Sequence, residues 1–184
     1  MMEKNSRKLF MSSIIEILKH KPLEEITVTE IVYISGLSRQ SFYDNFSDKF
    51  DLVNKTFFTD AEKSMRLFSN KEVSWNSVIL TSLDTMKSKK SFYTNVLKYK
   101  GQNSLSEYFA DYIIKVHSKL IFADMLNNSS NEKALGIIQF HAYGTAWTTT
   151  NWAVSGMKAQ PKEMSALIYE CMPNLMRQSY TNIF

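Results

Sequence analysis

The sequence predicts an all-α fold, and the prediction depends on three observations. Helix-breaking residues are scarce, since the 184 residues include only five Gly and three Pro. Apolar residues recur three and four positions apart, which is the spacing of one face of a helix. The predicted connectors each contain Gly, Pro or Asn, where helices commonly stop. These features predict about nine helices: a three-helix N-terminal head joined by a long helix to a C-terminal helical bundle.

The first helix is predicted over residues 6–20. Proline disfavours a helical conformation at the residue before it, so Pro22 marks the end of this helix. Residues 23–26 then form a short connector. The apolar residues of the inner face are Phe10, Ile14, Ile17 and Leu18.

The second helix has clear signals at both ends. Thr27 and Glu30 have the spacing of a capping box, in which each side chain bonds to the main-chain N–H of the other residue. Gly36 can adopt positive φ and ends the helix. The residues predicted to face inward are Val28, Ile31, Val32 and Ile34.

A tight turn leads to a third, short helix over about residues 39–46, which Ser38 is predicted to cap. Phe42 and Phe46 are four residues apart and therefore share its inner face. Two short helices joined by a glycine-containing turn define a helix-turn-helix, whose second helix enters the major groove of DNA.

Ser47 is predicted to cap a long fourth helix over about residues 48–68. Five further helices are predicted over 74–87, 89–99, 103–126, 132–156 and 161–180. The chain is accordingly divided into a helix-turn-helix DNA-binding domain, residues 1–50, and a helical domain for effector or partner binding and dimerisation, residues 51–184.

The third helix is predicted to present polar side chains outward. Arg39 and Gln40 lie at its start, where a recognition helix meets base edges, and Tyr43 follows one turn later. Lys49 is placed to pair with a phosphate. The alternative interpretation is that these residues form an ordinary solvated face and that Thr27 and Ser38 act only as caps.

The spacing of these residues resembles the N-terminal signature of the TetR family of transcription regulators over about residues 6–58. The matching positions are Thr27, Val28, Ile31, Gly36, Leu37, Ser38, Ser41, Phe42, Tyr43, Phe46, Lys49 and Leu52. The resemblance implies a homodimer that binds a palindromic operator with two heads. It implies that the DNA-facing residues are Thr27, Thr29, Ser38, Arg39, Gln40, Ser41, Tyr43, Asn45 and Lys49. Many family members have His where this chain has Asn45.

Bulk charge does not locate the DNA site. The net charge is +4, but residues 1–50 contain seven basic and seven acidic residues, so the excess lies in the body. A single cysteine, Cys171, excludes an intramolecular disulfide and fits a reducing cytoplasm. No segment approaches the length of an apolar membrane span, so a soluble cytoplasmic protein without a membrane partner is predicted.

Two terminal helices carry stripes of apolar and small residues that suit a dimer interface. The predicted interface residues are Gly144, Thr148, Trp152, Met164, Ile168, Cys171 and Leu175. The alternative is that these stripes belong to the internal core.

Aromatic residues, several of which carry a hydroxyl or ring nitrogen, also predict a small-molecule pocket in the body. Its predicted residues are Phe92, Tyr93, Tyr99, Phe109, Tyr112, His117, His141 and Trp147. A body core without a cavity would use the same residue types.

The function predicted from these features is a DNA-binding regulator, a homodimer on a palindromic operator controlled by a small molecule. Residues 90–102 and 143–173 resemble a TetR subgroup that includes the activator of dihydroxyacetone kinase operons. That resemblance implies the alternative of a co-regulator controlled by a protein partner. No catalytic or metal-binding motif is present in the sequence, so neither an enzyme nor a cofactor is predicted.

Overall fold

The computed structural model describes residues 2–70, 73–122 and 131–181. In this part of the chain it contains ten α-helices and one short 3-10 helix, which confirms the all-α prediction. The α-helices are α1 Met2–Ile17, α2 Val28–Ser35, α3 Arg39–Asn45, α4 Lys49–Ser69, α5 Trp75–Ser88, α6 Lys90–Lys98, α7 Leu105–Phe122, α8 Asn131–Val154, α9 Pro161–Glu170 and α10 Asn174–Thr181. Within the described ranges, no helix is both long enough and apolar enough to cross a membrane.

The head consists of α1, α2, α3 and the start of α4, packed around a cluster of aromatic rings. Phe10 of α1 meets Phe42 of α3 edge to face at 5.3 Å between ring centroids, and Phe46 at 5.9 Å. All three rings are buried, as the spacing of Phe42 and Phe46 predicts. Such pairs stabilise beyond the area that they bury, because the edge of one ring is attracted to the face of the other.

The predicted signals at both ends of α2 are confirmed. The Thr27 hydroxyl accepts a hydrogen bond from the N–H of Glu30, and the Glu30 carboxylate accepts one from the N–H of Thr27. Gly36 adopts the left-handed conformation with φ of 67°. The inner face of α2 is narrower than predicted, however. Ile34 is 49% exposed, whereas Ile31 is fully buried.

The predicted cap of α3 is confirmed, and the predicted cap of α4 is wrong. Ser38 caps α3 by accepting a hydrogen bond from the N–H of Ser41. The cap of α4 is Asp48 rather than the predicted Ser47, since its carboxylate accepts the N–H of Asp51 at 2.8 Å. Ser47 instead donates its N–H to the Asp51 carboxylate.

The C-terminal segment departs from the prediction of one helix over 161–180. The helix breaks between Glu170 and Asn174, so the described chain contains ten α-helices instead of about nine. Pro173 causes the break, because it has no N–H to donate and disfavours helix at the preceding residue. The last four residues of the helix predicted over 103–126 lie outside the described residues.

A continuous apolar core links head and body. One cluster of buried residues extends from Phe10 in α1 through Phe57 in α4 to Ile168 in α9. A second cluster surrounds the far end of α4, where Phe68 packs against Trp75 and Tyr180. The long helix α4 therefore contributes to the packing of both the head and the body.

Candidate nucleic-acid interface and body cavity

The outer face of α3 presents the side chains that the sequence predicts there. Arg39, Gln40 and Tyr43 are all exposed. The Arg39 guanidinium lies 5.6 Å from the centre of the Tyr43 ring, and it also approaches the Thr29 hydroxyl at 3.4 Å. Gln40 donates a 2.8 Å hydrogen bond to the carboxylate of Asp44. These contacts are at the surface, where a partner can replace them at small energetic cost.

The N-termini of α2 and α3 are held by tight local bonds. Glu30 accepts hydrogen bonds from Lys21 and from both the N–H and the hydroxyl of Thr27. The Lys21 bond and the Thr27 bonds lower the pKa of Glu30 to about 2. This carboxylate is therefore ionised under ordinary conditions and holds the start of α2 to Lys21, which precedes the 3-10 helix.

Asn45, one of the residues predicted to face DNA, is buried inside the head. Its side chain is 6% exposed. The amide oxygen accepts a 2.9 Å hydrogen bond from Nε of Arg7, and the amide nitrogen donates to the main-chain oxygen of Ser41. Asn45 thus joins α3 to α1, and its polar atoms are used inside the head.

Lys49 is also placed differently from the phosphate-binding role that the sequence predicts. Its ammonium group donates to the main-chain oxygens of Leu23, Glu24 and Ile26, at 2.8, 3.0 and 2.7 Å. An ammonium has three N–H donors, so the three carbonyls use all of them. Partial burial lowers the pKa of Lys49. The residue fastens the first turn of α4 to the 3-10 helix Leu23–Glu25.

The body contains a partly open cavity of about 120 Å³ between α4, α5, α7 and α8. Five of the eight predicted pocket residues line it: Tyr93, Phe109, Tyr112, His117 and His141. Most of the other lining side chains are apolar, as in Ile79, Leu83 and Ile113.

The other three predicted pocket residues lie elsewhere. Phe92 is buried against Tyr93 on the far side of α6. The ring of Tyr99 stacks on the ring of Phe50 in the first turn of α4, with 5.0 Å between the ring centroids. Trp147 points out of the molecule and is 70% exposed.

Asp60 is a cavity residue that the sequence analysis did not single out. It is buried, and its two carboxylate oxygens accept hydrogen bonds from Nζ of Lys89 at 2.5 Å and from the hydroxyl of Tyr93 at 2.8 Å. A signal for it does exist in the sequence. Asp60 follows Phe57 by three residues and precedes Phe68 by eight, so helical spacing places it on the same face as these two apolar residues.

Two histidines face each other at one end of the cavity, with 5.6 Å between ring centroids. Burial lowers the pKa of His117 to about 3, and it lowers the pKa of His141 as well. Both rings are therefore neutral at pH 7. Nδ1 of His117 forms a hydrogen bond with the hydroxyl of Tyr180.

The outer face of α8 is unusually apolar for a surface. Phe140 is 85% exposed, and Tyr143, Trp147 and Gly144 are exposed beside it. Of the predicted dimer residues, Gly144 and Cys171 are exposed, and Thr148 and Leu175 are half-buried. Trp152, Met164 and Ile168 are buried in the core of the same chain, where α8 packs on α6 and α9 packs on α5.

Comparison with known proteins gives an independent result. Residues 73–174, more than half of the chain, match a TetR-type family model described as "Transcriptional regulator C-terminal region". No curated protein matches the chain. Thirteen chains of solved structures match it. One of them, "Dihydroxyacetone kinase operon activator DhaS", has a TM-score of 0.65 at 17% identity, covering 96% of this chain and 97% of that chain. At this identity the likeness shows a shared fold.

Proposed function

Since the chain belongs to the TetR family of transcriptional regulators, we propose that it is a cytoplasmic homodimer that binds a palindromic DNA operator. We propose further that a small molecule in the body cavity controls this binding. The matched family and the similar structure are both described as transcriptional regulators or activators, and we propose no catalytic role.

The observation that carries the proposal is the outward face of α3. Arg39 and Gln40 project from its first turn, and both side chains can form paired hydrogen bonds to purine edges in the major groove. Tyr43 adds a hydroxyl for a phosphate or a ring for a thymine methyl. Around them, the N-termini of α2 and α3 bring further polar groups to the same side. The proposed DNA contacts are Thr27, Thr29, Ser38, Arg39, Gln40, Ser41 and Tyr43.

The charge of the head supports selective rather than general DNA binding. Residues 1–50 have no net charge, and Asp44 and Asp48 lie beside the proposed contacts. Non-specific affinity depends on the number of phosphates that a protein neutralises. A neutral head therefore binds weakly by itself, and two heads on one operator supply the affinity.

The apolar outer face of α8 supports the homodimer. Phe140, Tyr143 and Trp147 give an exposed aromatic surface, and Gly144 between them permits close approach of a second helix. A second copy of the chain would cover this face, with the two copies related by a twofold axis. A twofold dimer matches the symmetry of a palindromic site.

The cavity favours control by a small molecule over control by a protein partner. It is lined mainly by apolar side chains and has a few polar groups, as ligand sites do. Partner control, the alternative, predicts instead that no small molecule changes DNA affinity and that a second protein does.

The test of DNA binding uses fluorescence anisotropy with the purified full chain and DNA from upstream of its own gene. Arg39→Ala should weaken specific binding by about ten- to a hundredfold, the value of one good bidentate base contact. Arg66→Ala is the matched control, because Arg66 is equally accessible but lies on α4 within the body. Equal affinity of the wild type and Arg39→Ala would show that α3 is not the recognition helix.

A further inference from the structure

We infer that the body cavity takes an uncharged, mainly apolar ligand of about six to ten non-hydrogen atoms with a single hydroxyl or similar hydrogen-bonding group. A phenol or a short branched alcohol belongs to this class. The inference rests on the proposed control by a small molecule and names the chemistry of that molecule.

The size of the ligand follows from the volume of the cavity, about 120 Å³. An engineered apolar cavity of roughly 150 Å³ holds one benzene molecule. The cavity is therefore in the size range of a single six-membered ring, and small rotations of flexible lining side chains such as Met65 and Met86 would make room for one or two substituents.

The charge of the ligand follows from the absence of an available counter-charge. Asp60 is the one carboxylate among the described lining residues, and Lys89 and Tyr93 engage both of its oxygens. His117 and His141 are neutral, since burial lowers the pKa of each. An ionised ligand would lose its hydration without gaining a partner, which is unfavourable.

The position of the hydrogen-bonding group follows from His117. This ring is 3% exposed, and it lines the cavity. Its Nδ1 is engaged by Tyr180, whereas its Nε2 has no hydrogen-bond partner among the described residues. Because the ring lines the cavity, a ligand that forms a hydrogen bond with Nε2 gains affinity. A hydroxyl suits both tautomers of the ring, because it can donate to or accept from Nε2.

The first experiment measures the melting temperature of the full chain, without DNA, in the presence of four probes of similar size. Toluene and p-cresol are uncharged, and benzoate and benzylammonium carry one charge of each sign. At ten times its Kd, p-cresol should raise Tm by about 3–6 °C. Benzoate and benzylammonium should leave Tm unchanged. A rise with either charged probe that equals the rise with p-cresol would overturn the inference, as would the absence of any rise with both neutral probes.

A matched pair of substitutions on α5 locates the binding. Ser82 lines the cavity, and Ser88 is exposed at the end of the same helix. Ser82→Leu fills part of the cavity and should weaken p-cresol binding at least tenfold, whereas Ser88→Leu should not change it. Equal binding by the two variants would place the ligand outside the cavity.

A third variant tests the hydrogen bond to His117. His117→Phe keeps a ring in place but removes Nε2, so the preference for p-cresol over toluene should fall from about tenfold to about onefold. Because toluene binding reports that the cavity is intact, the ratio remains informative even if the variant is less stable. An unchanged preference would assign the hydroxyl to another partner.

These measurements are separable from the proposed function. Loss of operator binding by Arg39→Ala does not depend on any probe, and the Tm shifts do not depend on DNA. If p-cresol binds but leaves operator affinity unchanged, the ligand class stands and the proposed control of DNA binding fails.

Discussion

The side-chain amide of Asn95 donates a 2.8 Å hydrogen bond to the main-chain oxygen of Leu18, and this bond joins helix α6 of the body to the end of α1 in the head. The same helix carries Tyr93, which lines the cavity and bonds to Asp60. Tyr99, just after α6, stacks on Phe50 at the start of α4. Helix α6 therefore contacts both the cavity and the head.

The bond between Asn95 and Leu18 should be measurable as stability. Asn95→Ala should lower the free energy of unfolding by about 1 kcal/mol, because the Leu18 oxygen loses its side-chain donor. Urea unfolding followed by circular dichroism checks this value. Ser91→Ala, on an exposed position of the same helix, is the control and should stay within about 0.5 kcal/mol of the wild type. Equal effects of the two variants would mean that the bond contributes nothing to the joint between head and body.

Lys49 should act on the stability of the head rather than on phosphate binding. Lys49→Met should lower the free energy of unfolding by about 2 kcal/mol, since three main-chain oxygens lose a charged donor. Lys63→Met makes the same change at an exposed position of α4 and should have little effect. If Lys49 instead contacted a phosphate directly, Lys49→Met would leave the free energy of unfolding unchanged. The plot of log binding constant against log salt concentration for DNA binding would then be shallower by about one unit.

The outer face of α8 should hold the dimer together. Phe140→Asp places a charge in the proposed interface and should convert the dimer to a monomer in sedimentation velocity at micromolar concentration. Tyr33→Asp is a closely matched control, because Tyr33 in the head is 86% exposed and Phe140 is 85% exposed. If Phe140→Asp remains dimeric, the dimer forms through another surface.

Stability should depend on pH through His117. Its pKa is about 3 in the folded chain and 6.5 when unfolded, so between these values the unfolded chain binds a proton that the folded chain does not. Stability is then independent of this group above pH 6.5 and falls as the pH is lowered, by about 2 kcal/mol between pH 7 and pH 5. Urea unfolding at several pH values measures the slope.

His117→Phe should make that slope shallower, and His141, whose pKa is also lowered, should supply part of the remainder. His20→Phe changes a histidine whose side chain is 75% exposed and should retain the wild-type slope. A full slope in His117→Phe would show that the ring of His117 does not stay neutral in the folded protein.

The head was predictable because its signals are local. The bonds between Thr27 and Glu30 and the left-handed Gly36 involve residues within a few positions of each other. Even there, the choice between Ser47 and Asp48 as the cap of α4 was not available from residue type, since both accept hydrogen bonds equally well at that position. The backbone conformation of the head decides it.

The roles of Asn45 and Lys49 were not predictable from neighbouring residues. Their sequence positions suggest an exposed face, but Arg7 approaches Asn45 only when α1 packs on α3, and the carbonyls of Leu23 and Ile26 approach Lys49 only when the 3-10 helix packs on α4. A polar side chain near a surface takes whichever partner the fold brings close. These two partners lie more than twenty residues away in the chain.

The sequence by itself determined the helices, the helix-turn-helix and the aromatic centre of the head, because capping and helical spacing act over three or four residues. Only the tertiary structure decided which aromatic residues of the body are core, cavity or surface. Trp147 and Trp152 illustrate this: both lie on α8, whose apolar residues occur on every side, yet one is exposed and the other is buried. The outcome depends on where α5, α7 and α9 pack, and helical spacing carries no information about contacts between distant segments.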